Sequence, residues 1–77
     1  PSRAEYWVNR GTAHLLSGQA QQAANDLLTA EQLGATEALG LHSNLALAYR
    51  QLGDRSRSQR HMDLACRMGN ARACSGG

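Results

Sequence analysis

Two cysteines and three histidines are the side chains of this 77-residue chain best suited to bind a metal or form a covalent bond. Cys66 and Cys74 are separated by seven residues, whereas zinc and redox sites typically have the Cys-x-x-Cys spacing. Along one straight helix their Cα atoms would lie about 12 Å apart, which is too far for a disulfide. A chain reversal at Gly69 and Asn70, a typical turn sequence, would bring the two sulfurs together.

The cysteine pair therefore has two interpretations. In the first, Cys66 and Cys74 form a disulfide, which would stabilise the fold by roughly 2–3 kcal/mol and pin the end of the last helix. Disulfides persist in oxidising compartments, so this interpretation favours a periplasmic or exported protein over a cytoplasmic one. In the second, both thiols are free and Cys66 is a small core residue. The spacing alone leaves both interpretations open.

The histidines do not form a recognisable metal-binding or catalytic motif. His14, His42 and His61 fall on three different predicted helices, and none of them forms the His-x-x-x-His pair that shares one helix face. His14 and His42 occupy positions that we expect to pack in the core. The chain also lacks a glycine-rich phosphate loop and a nucleophile elbow. We therefore expect no enzyme activity, no metal, no cofactor and no small-molecule substrate.

The net charge of +2 is too small to indicate a nucleic-acid or membrane partner. RNA binding by the arginine-rich second half is nevertheless the alternative function, although that half offers few aromatic side chains for base stacking. The simpler interpretation is that these arginines lie on the solvent-exposed face of the last helix. No apolar run reaches the ~18 residues that would cross a membrane. The arginines of this half, opposed by Asp54 and Asp63, are Arg50, Arg55, Arg57, Arg60, Arg67 and Arg72.

Four helices are expected to position these residues. Alanine, leucine, glutamine and arginine favour helix, and no segment alternates apolar and polar residues as a strand would. Apolar residues spaced by three and four predict helices at roughly 4–17, 20–33, 38–52 and 55–68. The apolar stripe of the first helix includes Ala13 and Leu16. A glycine follows each helix and is expected to end it in a left-handed conformation: Gly18, Gly34, Gly53 and Gly69.

The chain contains an internal repeat with an offset of 35 residues. A glycine inside a helix costs up to ~1 kcal/mol relative to alanine, so Gly11 is expected where a second helix crosses closely, with Ala23 facing it. This arrangement favours stacked helical hairpins over a generic four-helix bundle. The equivalent small residues are Gly11 with Ala46, Gly18 with Gly53, Ala23 with Ser58, and Ala30 with Ala65.

Two segments resemble the start of a tetratricopeptide repeat: Ala4-Glu5-x-Trp7-x-Asn9-x-Gly11 and Asn44-Leu45-Ala46-x-x-Tyr49-x-x-x-Gly53-Asp54. The resemblance covers about residues 4–70. It departs at Arg10, His14 and His42, and one extra residue near Ala38 makes the period 35 instead of 34. It implies an all-α, right-handed stack of two antiparallel helical hairpins. The implied repeats are 4–36 and 38–70, followed by a short capping or disordered tail at 71–77.

The resemblance also implies a function, because the first helices of such hairpins line a concave surface that suits an extended peptide or a helix. We therefore expect a protein-binding adaptor or scaffold in a larger bacterial, envelope or secretion-related assembly. Its partner would be another protein or a second copy of itself. The spacing of Cys66 and Cys74 similarly resembles bridged hairpins of secreted, cysteine-rich bacterial repeat proteins. The residues implied to line the surface are Glu5, Val8, Asn9, Thr12, Leu16, Ser43, Asn44, Leu47, Arg50 and Gln51.

Overall fold

The computed structural model describes residues 3–35, 39–69 and 74, and within these parts the regular structure is entirely helical. The prediction of four helices is confirmed, and each described boundary lies within one residue of the expected one. The extra residue near Ala38, the turn residue Asn70 and most of the predicted tail at 71–77 lie outside the described residues. The helices are α1 (Arg3–Leu16), α2 (Ala20–Gln32), α3 (Leu39–Gln51) and α4 (Arg55–Arg67).

The first helix of each hairpin ends in the same way. Gly18 and Gly53 have φ angles of 78° and 80°, in the left-handed region that glycine adopts without strain. The backbone N–H of the residue after each glycine donates to the carbonyl five residues earlier, at 2.8 Å in both hairpins. This is the Schellman pattern, which satisfies carbonyl groups that the helix end would otherwise leave unpaired. The predicted helix ends at Gly34 and Gly69 are confirmed too, with φ angles of 101° and 102°.

Small residues allow the two helices of each hairpin to cross closely. A Cβ atom on Gly11 would lie 2.8 Å from Leu27 Cγ and 3.2 Å from the carbonyl oxygen of Ala23, so a side chain at Gly11 has no room. In the second hairpin the equivalent crossing is bridged by Ser58, whose hydroxyl donates to the carbonyl oxygen of Ala46 at 2.9 Å. The two facing pairs expected from the internal repeat are therefore confirmed.

The hairpins stack through the middle two helices. α1 packs along α2 and α3 packs along α4, while α2 also packs against α3, and α1 meets α3 over a shorter length. Ala30 and Ala65 are both fully buried. The all-α fold of two stacked antiparallel hairpins is thus confirmed. Its core consists mostly of alanine and leucine: Leu15, Ala23, Ala24, Leu27, Ala30, Leu41, Leu45, Ala48 and Tyr49.

The predicted apolar stripe of α1 is wrong at Ala13, which is exposed. Leu16, predicted both in this stripe and on the partner-binding surface, is 84% exposed and therefore accessible. The counterpart of Ala13 in the second repeat is Ala48, which is fully buried because α3 packs against all three other helices. α1 packs only against α2 and, over a short length, α3. Spacing along the chain identifies an apolar face, but burial depends on which helices lie beside it.

None of the four described helices is long and apolar enough to cross a membrane, since the longest, α1, has 14 residues.

Candidate partner-binding surface

The predicted surface lies where α1 and α3 run side by side in the same direction. The Asn44 side-chain amide donates to Thr12 Oγ1 at 3.0 Å, and the Thr12 hydroxyl donates in turn to the carbonyl oxygen of Val8 at 2.8 Å. The Thr12 oxygen thus acts as donor and acceptor at once. These contacts bring together three of the ten predicted residues, and they show that Asn44 and Thr12 also hold the two hairpins in register.

Most of the other predicted residues are accessible on this α1–α3 face. Leu16 and Leu47 are large apolar side chains with 84% and 43% exposure, so both are accessible to a partner. Glu5 lies near the start of α1, and Arg50 lies near the end of α3. Because the two helices run in the same direction, the two charges mark opposite ends of the face. The exposed residues of the predicted set are Glu5, Asn9, Leu16, Leu47, Arg50 and Gln51, while Val8, Thr12, Ser43 and Asn44 are half-buried.

A groove of about 570 Å³ lies at the glutamate end of this face. It is bounded by the first turns of α1 and by the residues that follow α2, and it includes Glu5 and Val8 of the predicted set. Leu33, which is 42% exposed, supplies an apolar wall. The full lining consists of Arg3, Ala4, Glu5, Val8, Leu33, Gly34 and Ala35.

A larger groove of about 840 Å³ lies between α2 and α4, and it includes none of the ten predicted residues. Tyr49 and His61, each only 8% exposed, form its floor. Glu31 of α2 and Arg60 of α4 contribute opposite charges to its walls. The remaining lining residues are Gln21, Ala24, Leu28, Leu52, Asp54, Arg57 and Leu64.

The structure places His42 and His61 in contact, which the sequence analysis missed. Their Nδ1 atoms are 3.0 Å apart, and their side chains are among the few buried polar groups of the described chain. The predicted contact between Ala46 and Ser58 could have revealed this pair. Because α3 and α4 are antiparallel, the residue one turn before Ala46 faces the residue about one turn after Ser58. These two residues are His42 and His61. The expectation that His42 packs in the core is confirmed.

The two imidazole rings meet edge to edge. Their centroids are 5.2 Å apart and their planes differ by 18°, so the 3.0 Å nitrogen contact lies nearly along the line of centres. Tyr49 lies nearly parallel to His61, with centroids 5.6 Å apart. His42 Nε2 points towards the Glu31 carboxylate at 3.8 Å. Burial, followed by the charge of His42, lowers the pKa of His61 from its ordinary value of 6.5.

The first hairpin has a different polar contact at the equivalent place. Asp26, the counterpart of His61, is buried with Oδ2 3.1 Å from Arg10 Nε and 3.5 Å from His14 Nε2. Neither contact has the alignment of a hydrogen bond, so the pairing is mainly electrostatic. The hydrogen bond of Arg10 with Tyr6, followed by the charge of Asp26, raises the pKa of Arg10. His14, expected in the core, is partly exposed instead and bonds to Gln19 at 2.7 Å.

Carboxylates lie beside several of the described arginines of the second half. Arg57 bonds to the Asp54 carboxylate at 3.2 Å, and its guanidinium lies 5.7 Å from the centre of the Tyr49 ring. Arg60 and Arg67 line a small depression that also contains Asp63. Arg72 lies outside the described residues.

Cys66 and Cys74 form a disulfide, with Cα atoms 4.7 Å apart. Of the two interpretations left open by the spacing, the structure has the bridged one. The bridge ties Cys74 to the last turn of α4, where Cys66 is half-buried. No free cysteine and no group of three metal-binding side chains occurs among the described residues.

Comparison with known proteins finds no matching family model, no matching curated protein and no matching solved structure. The resemblance of the sequence to tetratricopeptide repeats therefore stays a prediction.

Proposed function

We propose that this chain is a tetratricopeptide-like module that binds another protein through the α1–α3 face, as an adaptor or scaffold in a bacterial envelope or secretion assembly. The observation that carries the proposal is the Asn44–Thr12 hydrogen bond. It holds the first helices of both hairpins side by side, and large apolar side chains project beside it at Leu16 and Leu47. A surface fixed by internal bonds needs little reordering when a partner binds, which favours affinity.

The charges of the face suggest the chemistry of the partner. Arg50, near the end of α3, favours an acidic residue, and Leu47, one turn before it, offers apolar contact. An extended segment or a helix that presents an apolar residue beside an acidic one would complement this pattern. A second copy of the chain remains a candidate partner, because the same face can pair with itself in a two-fold dimer.

The Cys66–Cys74 bridge supports a further part of the proposal, which is a periplasmic or exported location. Disulfides of this kind form and persist where the surroundings oxidise thiols. Thiol titration under denaturing conditions, on protein taken from its native compartment, tests the location. Two free thiols in that protein would contradict an oxidising compartment.

Site-specific crosslinking tests the binding face. A photoreactive phenylalanine analogue replaces Leu47 in the α1–α3 face, and the matched control replaces Gln59, an exposed residue of α4. We expect a discrete adduct, identified by mass spectrometry, from position 47 and none from position 59 in cells of the native host. Adducts of equal yield at both positions would show that the α1–α3 face is not the binding surface.

The captured partner then allows a quantitative test. The double variant Leu47→Ala/Arg50→Ala removes exposed side chains only, so its circular dichroism should match the wild type. We expect it to bind at least about tenfold more weakly, since centrally placed contact residues dominate interface energies. Undiminished affinity in the folded double variant would place the interface elsewhere.

The alternative function, RNA binding by the arginine-rich half, predicts a different result. Affinity for homopolymer RNA at low salt should then fall steeply with added salt, because phosphate contacts release counterions. Arg60→Ala would weaken it, whereas the Leu47 substitution would not. The engagement of Arg57 with Asp54 and with the Tyr49 ring reduces the cations available for RNA, so we favour protein binding.

A further inference from the structure

The His42–His61 contact has no part in the proposed binding face. It lies inside the second hairpin, where α3 and α4 cross, with the two residues 4% and 8% exposed. A 3.0 Å separation between two ring nitrogens requires a hydrogen between them, so one ring donates and the other accepts. The contact therefore depends on the number of protons that the pair carries.

The pair tolerates one added proton but not two. A singly protonated pair keeps the bond, with His42 donating from Nδ1 to His61 and directing Nε2–H towards Glu31, 3.8 Å away. A second proton would have to occupy His61 Nδ1, the nitrogen that accepts the bond. Two N–H groups would then point at each other across 3.0 Å, and two positive charges would be buried together.

The charges around the pair do not compensate the second proton. α2 contributes one carboxylate, Glu31, which lies beside His42 and raises the pKa of His61, but burial and the charge of His42 each lower that pKa by more. α3 contributes Tyr49, whose ring lies parallel to His61. On α4, Arg60 adds a like charge that lowers the pKa of His61, while Arg57 is paired with Asp54. Among the described contacts, no titratable side chain of α1 reaches either ring.

We propose that the His42–His61 pair is a proton-sensitive lock, which holds α4 against α3 at neutral pH and releases it when both imidazoles are protonated in mildly acidic surroundings. Histidine is the side chain whose ordinary titration falls in this range. A protein exported to a compartment of variable acidity would meet such conditions, but the lock acts whatever partner the α1–α3 face binds.

The direction of the effect follows from proton counting. The pKa of His61 is lowered in the folded chain, so the unfolded chain binds more protons in mild acid. The stabilisation is complete above the ordinary pKa of 6.5 and is lost as the pH falls through the lower pKa of the folded state. Across that window, each unit by which the pH falls should raise the unfolding equilibrium constant by up to about tenfold.

Urea unfolding of the disulfide-bonded chain from about pH 7.5 to about pH 5 measures this dependence. The variant His61→Asn removes the titrating ring and keeps an amide that can accept the bond from His42. His14→Asn is the matched control, because His14 lies in the first hairpin and does not contact the pair. We expect the steep loss of stability in the wild type and in His14→Asn, and a clearly smaller loss in His61→Asn. Equal pH dependence in all three proteins would overturn the proposal.

Histidine NMR on the wild type provides the second measurement, which applies even if His61→Asn does not fold. We expect the pKa of His61 to lie below its ordinary value, and its protonation to coincide with loss of the native α4 signals. Protonation of His61 at its ordinary pKa, with the α4 signals intact, would refute the lock.

Discussion

Gly11 offers the sharpest test of how the first hairpin is built. Replacing it by alanine adds one carbon atom to α1. That atom would lie 2.8 Å from Leu27 Cγ, 3.0 Å from Leu27 Cδ2 and 3.2 Å from the carbonyl oxygen of Ala23. Leu27 is fully buried in the core, so it cannot move aside without disturbing its neighbours. Either α1 and α2 separate or Leu27 leaves its preferred conformation.

Two opposing free energies decide the size of the effect. Alanine is favoured over glycine in a helix by up to about 1 kcal/mol. Overpacking in a well-packed core typically costs about 1–3 kcal/mol. For Gly11→Ala we therefore expect the free energy of unfolding to fall by about 0–2 kcal/mol, and for Gly11→Leu to fall much further. A domain of this size has only roughly 4–11 kcal/mol in total, so the leucine variant should be largely unfolded.

Gly40 provides the matched control. It is also a helical glycine, but it is exposed, and the nearest atom to an added Cβ is Asn44 Nδ2 at 3.9 Å. Gly40→Ala should thus raise stability by about 0.4–1 kcal/mol, because it restricts the unfolded chain without a clash. Urea unfolding followed by circular dichroism measures both variants. If Gly11→Ala stabilises the chain as much as Gly40→Ala does, the close crossing does not exist.

The same substitution in a Leu27→Ala background tests whether contact with Leu27 causes the loss of stability in Gly11→Ala. Leu27→Ala removes the Cγ and Cδ atoms that meet the new carbon, at a cost of about 2–5 kcal/mol. In this background Gly11→Ala should destabilise much less, because only the 3.2 Å contact with the Ala23 carbonyl oxygen remains, and the two substitutions should be strongly non-additive. A stabilising osmolyte keeps the weakened protein folded during the measurement. If the changes in free energy of unfolding are additive, the Leu27 side chain does not clash with the new Cβ atom.

Three further predictions concern the second hairpin. Asp54→Ala removes the side-chain acceptor of the Arg57 backbone N–H at the start of α4 and should cost about 1 kcal/mol in urea unfolding. Ser58→Ala removes the hydroxyl that bonds to the Ala46 carbonyl, whose helical hydrogen bond within α3 remains, and should cost about 0.5–1.5 kcal/mol, measured in the same way. Reduction of the disulfide should lower the melting temperature and cost about 2–3 kcal/mol in free energy of unfolding, and Cys74→Ser should match the reduced wild type.

The sequence predicted the backbone arrangement well because its determinants are local or repeated. The left-handed glycines end helices in a conformation that other residues avoid, so the roles of Gly18 and Gly53 can be predicted without knowing which residues pack against them. The role of Gly11 can be predicted because glycine destabilises the interior of a helix unless a close contact requires it, and the repeat has the small residue Ala46 at the equivalent position. Ala13 could not be judged correctly, because its exposure depends on how many helices flank α1.

The candidate site was predictable only in part. The contact of Asn44 with Thr12 agrees with the implied alignment of α1 and α3, since both residues belong to the expected lining. The His42–His61 contact was missed because the histidines were compared by their spacing along single helices. Residues that are 19 apart meet only when a hairpin folds back on itself. Facing positions across the hairpin, once set by Ala46 and Ser58, carry information that helical periodicity does not.

Comparison of equivalent positions shows that the repeat conserves its packing while its polar interior differs. Asp26 and His61 occupy the same place in their hairpins, yet Asp26 faces the guanidinium of Arg10 and His61 faces a second imidazole. A guanidinium keeps its charge at every physiological pH, so the first pair always joins opposite charges when its carboxylate is ionised. The imidazole pair loses its bond once both rings are charged.

Mild acid should therefore act unequally on the two hairpins. The disulfide does not offset this difference, because it joins Cys66 on α4 to Cys74, which follows α4 in the chain, and not to α3. The contacts that hold α4 against α3 are consequently those of the helix crossing, at Ser58 and at the two histidines. Amide exchange in acid should rise first along α4, while the α1–α2 crossing at Gly11, beside which Asp26 faces Arg10, stays closed.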